Sequence, residues 1–171
     1  SYGHGVSTTI LQLAKAYSII SNGGFNISPT IIKTEKIKNE KKEKILNTGV
    51  SENLTKILRK VVSTNEGTAN LADVNGYEIG GKTGTAQQPI GGEYSKIKIN
   101  TFASIFPSSQ PKFVLVVMLE SPKGSPSYVY NYRNKEGSFK GTLFNTAGWT
   151  SVEVTGQIID KIGPILATKY L

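Results

Sequence analysis

The chain contains no cysteine and a single histidine, His4. The first absence excludes disulfides and thiolate metal sites. The second leaves His4 as the one imidazole that a serine–histidine–aspartate triad could use. It sits between Gly3 and Gly5, just ahead of a helix-start pattern, where a loop role fits better than base catalysis. Arginine is nearly as scarce, with Arg59 and Arg133 the sole examples. The formal net charge of +8 is therefore mostly lysine, much of it within residues 33–44. No run interleaves bases with aromatics as a nucleic-acid platform does, so no nucleic-acid partner is expected. Long apolar stretches are missing too. Phe113-Val114-Leu115-Val116-Val117-Met118-Leu119 is far too short to span a bilayer. No signal peptide opens the chain, and there are no internal repeats. No cofactor and no metal is expected.

What is present fits one domain with its own core: 171 residues, 37% of them hydrophobic. Thr9 is placed to cap a helix over about 9–22, with Gln12 as its capping-box partner. Ile10, Leu13, Ala14 and Tyr17 then recur at helical spacing, and Asn22-Gly23-Gly24 ends the run. Residues 30–46 read as a charged hairpin about the polar turn Glu40-Lys41-Lys42-Glu43. Gly49 breaks the chain and Ser51 caps a second helix, 51–65, with Leu54, Ile57, Leu58, Val61 and Val62 as its apolar face. Residues 68–75 are a connection.

Strands are predicted at about 77–87, 94–106 and 112–120. The middle one alternates, with Ile97, Ile99, Thr101, Ala103 and Ile105 on one face. Lys96, Lys98, Asn100, Phe102 and Ser104 lie on the other. The last strand is almost continuously apolar and reads as covered on both faces. Residues 121–146 form a long polar loop, functional or disordered. Thr150, with Glu153 three residues on, caps a final helix over 150–163. Its inner side is Val152, Ile158, Ile159 and Ile162, and Gly163-Pro164 ends or kinks it. The fold class is α/β of the α+β type: an antiparallel meander packed with helices.

The chemistry concentrates in Gly80-Gly81-Lys82-Thr83-Gly84-Thr85-Ala86-Gln87. A Lys-Thr-Gly triplet on a strand suits a carboxylate. Lys82 supplies a point charge and Thr83 a hydroxyl donor. Gly84, without a Cβ, lets a ligand backbone lie close against the strand. A sheet edge with a solvated lysine is the plain alternative, and three-residue matches occur by chance.

Other blocks agree with the triplet. Ser1-Tyr2-Gly3-His4-Gly5, Leu11-Gln12-Leu13-Ala14, Ala16-Tyr17 and Asn22-Gly23-Gly24 precede it. Phe102-Ala103, Pro107 and Pro111-Lys112-Phe113-Val114-Leu115-Val116-Val117 follow it. In order and spacing these resemble the last part of the transpeptidase domain of class B penicillin-binding proteins. Lys-Thr-Gly is one of that superfamily's three active-site motifs, beside S-x-x-K and S-x-N. Tyr2 leans toward the division-type branch.

The resemblance implies a penicillin-binding/serine β-lactamase-like fold, incomplete in this chain. It implies a serine D,D-transpeptidase that cross-links peptidoglycan stem peptides and is acylated by β-lactams. On that basis Lys82 and Thr83 would bind the terminal carboxylate. Gly84 would let the peptide add as a strand. The Thr85 backbone N–H would donate to the oxyanion, with its hydroxyl in the same cleft. Division proteins are implied partners, and the location is the extracytoplasmic face of the membrane, behind an N-terminal anchor. A carboxypeptidase, β-lactamase or β-lactam sensor of the same superfamily is a second reading. A noncatalytic division scaffold using the basic arm at 33–44 is a third.

The nucleophile motif departs from the pattern. Ser95-Lys96-Ile97-Lys98 and Ser109-Gln110-Pro111-Lys112 match S-x-x-K in letters but fall after Lys-Thr-Gly, in a strand and a turn. Ser51-Glu52-Asn53 and Ser63-Thr64-Asn65 match S-x-N at helix ends, where capping explains them. No nucleophile is therefore assigned in this chain, which reads as part of a longer protein. The rest of the same domain would supply two further strands of a five-stranded sheet. The apolar strand 112–120 should then show an unpaired edge or an uncovered face. Self-association, strand exchange or marginal stability is the expected result. Analytical ultracentrifugation checks it, and a monomer stable to dilution would count against it.

Overall fold

The computed structural model describes residues 6–32, 43–141 and 144–170. His4 and the tip of the charged hairpin, 33–42, lie outside the described residues. Helix α1 spans Ile10–Ser21 and carries the capping box: Gln12 N–H donates to Thr9 Oγ1 at 3.1 Å, and Thr9 N–H donates to Gln12 Oε1 at 2.8 Å. It ends where Gly23 and Gly24 take φ of 85° and 92°, the left-handed region that glycine adopts without penalty. A Cβ on Gly24 would overlap the Leu46 carbonyl. The base of the charged arm closes there, with Ile45 N–H on Gly24 O at 2.7 Å and a single bridge between Phe25 and Lys44.

Helix α2 differs from the sequence reading. It runs Thr48–Ser63 with Asn47 at its N-cap, and Gly49 lies inside it. Ser51 caps nothing. It is buried in the first turns and its hydroxyl donates to Ile20 O, joining α2 to the end of α1. The inward face is Ser51, Thr55 and Val62, while Ile57 is exposed. Asn70 ends the helix by donating to Val62 O and Thr64 O at 2.8 and 2.6 Å. The expected connection that follows is core. Ala69, Leu71, Ala72 and Val74 are buried around a short 3-10 turn, Asn70–Ala72. An irregular segment has no periodicity to announce its burial.

Strands β1 (Gly80–Ile90), β2 (Glu93–Phe106) and β3 (Phe113–Glu120) form an antiparallel sheet in the order β1-β2-β3. Thr83 lies opposite Phe102, Thr85 opposite Asn100, and Phe102 opposite Val117. The ladder runs beyond the predicted strand end at 87 to Ile90, with an irregularity between Gln87 and Pro89. The alternation on β2 is real, but both faces are buried toward its end: Phe102, Ser104 and Ile105 are at 0% exposure. One face packs on α3, where Phe113 meets Tyr170 edge-on at 5.9 Å. Against the other lies α2, whose backbone at Leu58 and Arg59 reaches Gly80.

Strand β3 is covered only in part: α1 and α3 both pack on it, yet most of its side chains stay half-buried. Val117 is its one buried residue and Met118 is 45% exposed. Among the described residues β3 pairs with β2 alone, which leaves its outer edge open. An apolar run reports hydrophobicity, not which elements arrive to cover it.

Residues 121–146 hold a hairpin, β4 (Val129–Asn131) and β5 (Ser138–Lys140). Tyr130 is buried, stacks on Phe139 at 5.1 Å, and meets Trp149 edge-on at 5.5 Å. Helix α3 runs Ser151–Tyr170 straight through Gly163-Pro164. An interior proline costs about 3 kcal/mol; here Leu166 on the core and Tyr170 on Phe113 hold the segment beyond it helical. Glu153 is no capping-box partner. Its side chain is 7% exposed and accepts from both Arg133 nitrogens at 2.9 Å and from Tyr128 Oη at 2.9 Å.

Burial pushes the Glu153 carboxyl up, but the Arg133 hydrogen bonds and charge, with Tyr128 and Gln157, outweigh it and hold it below the ordinary glutamate value. A lowered pKa contributes stability that is complete above the ordinary glutamate pKa and fades as pH falls through the lowered one. Arg133→Met should cost about 3–5 kcal/mol at neutral pH by leaving a buried carboxylate unpaired. Urea unfolding at neutral pH and below about pH 4 should show this deficit shrinking with acidification, while a constant deficit would refute the pairing.

Candidate active site

The first half of β1 is clamped and the second half is open. A Cβ on Gly80 would stand 3.0 Å from Arg59 N, and one on Gly81 would stand 2.6 Å from both the Phe102 ring and Ala103 O. Both glycines are thus demanded by close packing. Gly84 differs: a Cβ there meets nothing nearer than 3.9 Å. Among the described residues β1 pairs with β2 alone, so its other edge is unoccupied.

Strand alternation puts Lys82, Gly84 and Ala86 on one face and Thr83 and Thr85 on the other. The exposed Lys82 Nζ donates to Thr83 O at 2.8 Å and approaches Thr83 Oγ1 at 3.3 Å. Thr83 Oγ1 is 3.1 Å from Thr68 Oγ1. Thr85 Oγ1 accepts from Ala147 N–H at 3.0 Å. A cleft of about 380 Å³ opens beside them, lined by Thr68, Thr83 and Thr85 and by Tyr132, Phe139 and Trp149. Hydroxyl donors among aromatic rings, with the Lys82 ammonium held on the neighbouring Thr83 oxygens, can hold a carboxylate through charge-assisted hydrogen bonds.

The structure places Thr83 and Thr85 on the cleft, whereas Lys82, on the other face of β1, does not line it and reaches only the two Thr83 oxygens. It adds Thr68 and the Thr146–Trp149 turn, which sequence reasoning missed. Thr68 lies in a segment without periodicity, and the turn lies more than sixty residues from Thr85 in the chain. The letter matches to S-x-x-K and S-x-N go elsewhere. Ser95 Oγ accepts from Ile97 N–H at 3.2 Å, and Lys98 Nζ reaches Asn145 O at 3.2 Å. Ser109 Oγ binds Glu78, and Asn65 Oδ1 accepts from Lys135 Nζ at 3.5 Å. None of Ser51, Ser63, Ser95 and Ser109 lines the cleft.

Residues 1–147 match the family profile of the penicillin-binding protein transpeptidase domain. The chain belongs to that family. It is 31% identical, over 99% of its length, to a probable peptidoglycan D,D-transpeptidase FtsI of Caulobacter vibrioides, and covers 28% of that protein. It is 30% identical, over 96% of its length, to the penicillin-binding protein PbpB of Mycobacterium tuberculosis, covering 26% of it. The apo transpeptidase domain of penicillin-binding protein 3 from Burkholderia pseudomallei superimposes with a TM-score of 0.76 at 27% identity, over 99% of this chain and 45% of that one. The antiparallel sheet with its helices is therefore of the penicillin-binding fold. The chain spans under a third of the length of these two curated relatives.

The glycines give a direct test of the division between clamp and open edge. Gly81→Ala should destabilise by about 1–3 kcal/mol, since the new methyl meets backbone and a buried ring. Gly84→Ala should stay within about 0.5 kcal/mol of the parent. Thermal unfolding of the two variants should separate them in that order.

Proposed function

We propose that this chain forms the carboxylate-binding and oxyanion wall of a serine D,D-transpeptidase that cross-links peptidoglycan in cell division. Lys82 and Thr83 bind the terminal carboxylate of a stem peptide, or of a β-lactam in its place. Gly84 leaves room for the peptide to lie along β1 as an added strand. The Thr85 N–H donates to the developing oxyanion, and its hydroxyl serves the carboxylate.

The observation that carries this reading is the contrast at β1. Gly80 and Gly81 are glycine because the protein fills the space beside them, whereas Gly84 faces none of it. A glycine the fold does not need, flanked by Lys82, Thr83 and Thr85 on an open edge, suits an incoming backbone. The Thr83 carbonyl is taken by the exposed Lys82 ammonium, which is consistent with its pointing to that edge. The two-residue repeat then aligns the Thr85 N–H and C=O with it.

The reaction is acyl transfer. A serine Oγ adds to the penultimate D-alanine carbonyl and the C–N bond breaks. The terminal D-alanine leaves with the serine proton. An amine of a second stem peptide then attacks the ester and returns the proton to serine. We assign the nucleophile to a segment outside this chain, within the same transpeptidase domain. The reaction belongs on the extracytoplasmic face of the membrane. Among the described residues no helix is long and apolar enough to cross it; by the family resemblance, anchoring is assigned to an N-terminal segment of the parent protein. Division proteins are the expected partners.

The test is acylation of the full-length parent protein by a labelled penicillin. Lys82→Ala and Thr83→Val should each slow labelling by about ten- to a hundred-fold, the weight of a hydrogen bond to a charged group. The 171-residue chain alone should take no label. Label on one of its serines, or unaltered acylation in both variants, would overturn the assignment.

A further inference from the structure

Resting on that carboxylate-binding reading, a second residue bears on Thr85 without touching the ligand. Asn100 lies on β2 opposite Thr85, on the same sheet face, at 0% exposure. Its Nδ2 donates to Asn145 Oδ1 at 2.7 Å and to Thr150 Oγ1 at 2.9 Å. Lys98, two residues earlier on β2, adds a bond from Nζ to Asn145 O at 3.2 Å. The Thr150 hydroxyl passes its own proton to Thr146 O at 2.8 Å. Residues 145–150 are thus held at both ends by β2. In the middle of the turn, Ala147 N–H donates to Thr85 Oγ1.

A threonine hydroxyl has one proton to give and two lone pairs to offer. The Ala147 N–H occupies a lone pair of Thr85 Oγ1, and that steers the proton away from the turn and toward the open side, where Thr83 also lines the cleft. A carboxylate accepts and never donates, so a hydroxyl pre-set as donor is the form it needs. Asn100 is a poor choice for stability alone. Its Oδ1 is buried without a hydrogen bond among the described residues, a penalty that an apolar residue of the same shape would avoid.

We propose that Asn100 is a positioning residue: by holding the 145–150 turn against β2, it sets the Thr85 hydroxyl as a donor toward the bound carboxylate. The test is a double-mutant cycle in the full-length parent protein, read as the second-order rate of acylation by a labelled penicillin. Asn100→Leu and Thr85→Val, the latter keeping the backbone N–H, should each lower that rate by about ten-fold or more. The loss should fall on the affinity of the encounter complex and spare the limiting acylation rate at saturation. The double variant should be no slower than Thr85→Val alone. The same penicillin as its methyl ester, which lacks the carboxylate, should acylate wild type and Asn100→Leu alike.

Multiplying effects in the double variant, or an equal loss with the ester, would overturn the proposal and leave Asn100 a structural residue. Should Asn100→Leu fail to melt cooperatively, Thr150→Val replaces it, removing one acceptor of the Asn100 amide with little change of shape. A wild-type protein that takes no label would overturn the carboxylate-binding reading itself, a result distinct from failure of the cycle.

Discussion

Two adjacent positions without side chains, Gly80 and Gly81, fix where β1 lies between its neighbours. On one face α2 reaches the strand at backbone distance; on the other the Phe102 ring fills the space a Cβ would take. Phe102 is fully buried at the centre of β2, so this contact ties the motif strand to the main core. The consequence is mechanical. One end of β1 is held by packing on both faces, and Thr83, Gly84 and Thr85 extend from that clamp with one edge free.

The scarcity of arginine gains a physical meaning in the folded chain. Both arginines pin the irregular segment between α2 and β1. Arg59 holds Asp73 at 2.7 Å and also donates to Ile79 O at 2.8 Å. Arg133 pairs with Glu153 and donates to Leu71 O. Asn134 adds a bond to Asp73 at 2.8 Å. A rigid planar donor that satisfies a carboxylate and a backbone carbonyl together is what guanidinium offers and ammonium does not. Among the described residues, Lys98 reaches one carbonyl beside the cleft and Lys82 the two oxygens of Thr83. The segment so pinned is the one that presents Thr68 to Thr83.

The cleft is therefore assembled from three separately anchored pieces. Strand β1 brings Thr83 and Thr85, the segment after α2 brings Thr68, and the turn before α3 brings Ala147 and Trp149. Hydroxyl and amide bonds stitch them at the contact points. Behind the turn, Tyr130 stacked on Phe139, with Trp149 edge-on to both, gives it an apolar footing. Preorganisation of this kind fixes donor directions before a ligand arrives, which is where electrostatic stabilisation gains most over water.

By itself the sequence determined what is local. The Thr9–Gln12 capping box, the glycine stop after α1, the alternation of β2 and the Lys-Thr-Gly triplet depend on neighbours a few residues away, and period and capping chemistry reveal them. It misjudged Ser51 and Glu153, since a capping pattern and a buried tertiary partner use the same residue types. It overstated the burial of β3 because apolar character does not say what will cover it. Tertiary structure alone decided that residues 69–74 are core, that Pro164 sits within a helix, and that Thr68, Asn100 and Ala147 meet the motif. Those outcomes rest on contacts between residues far apart in the chain, whose energies appear once the sheet has brought them together.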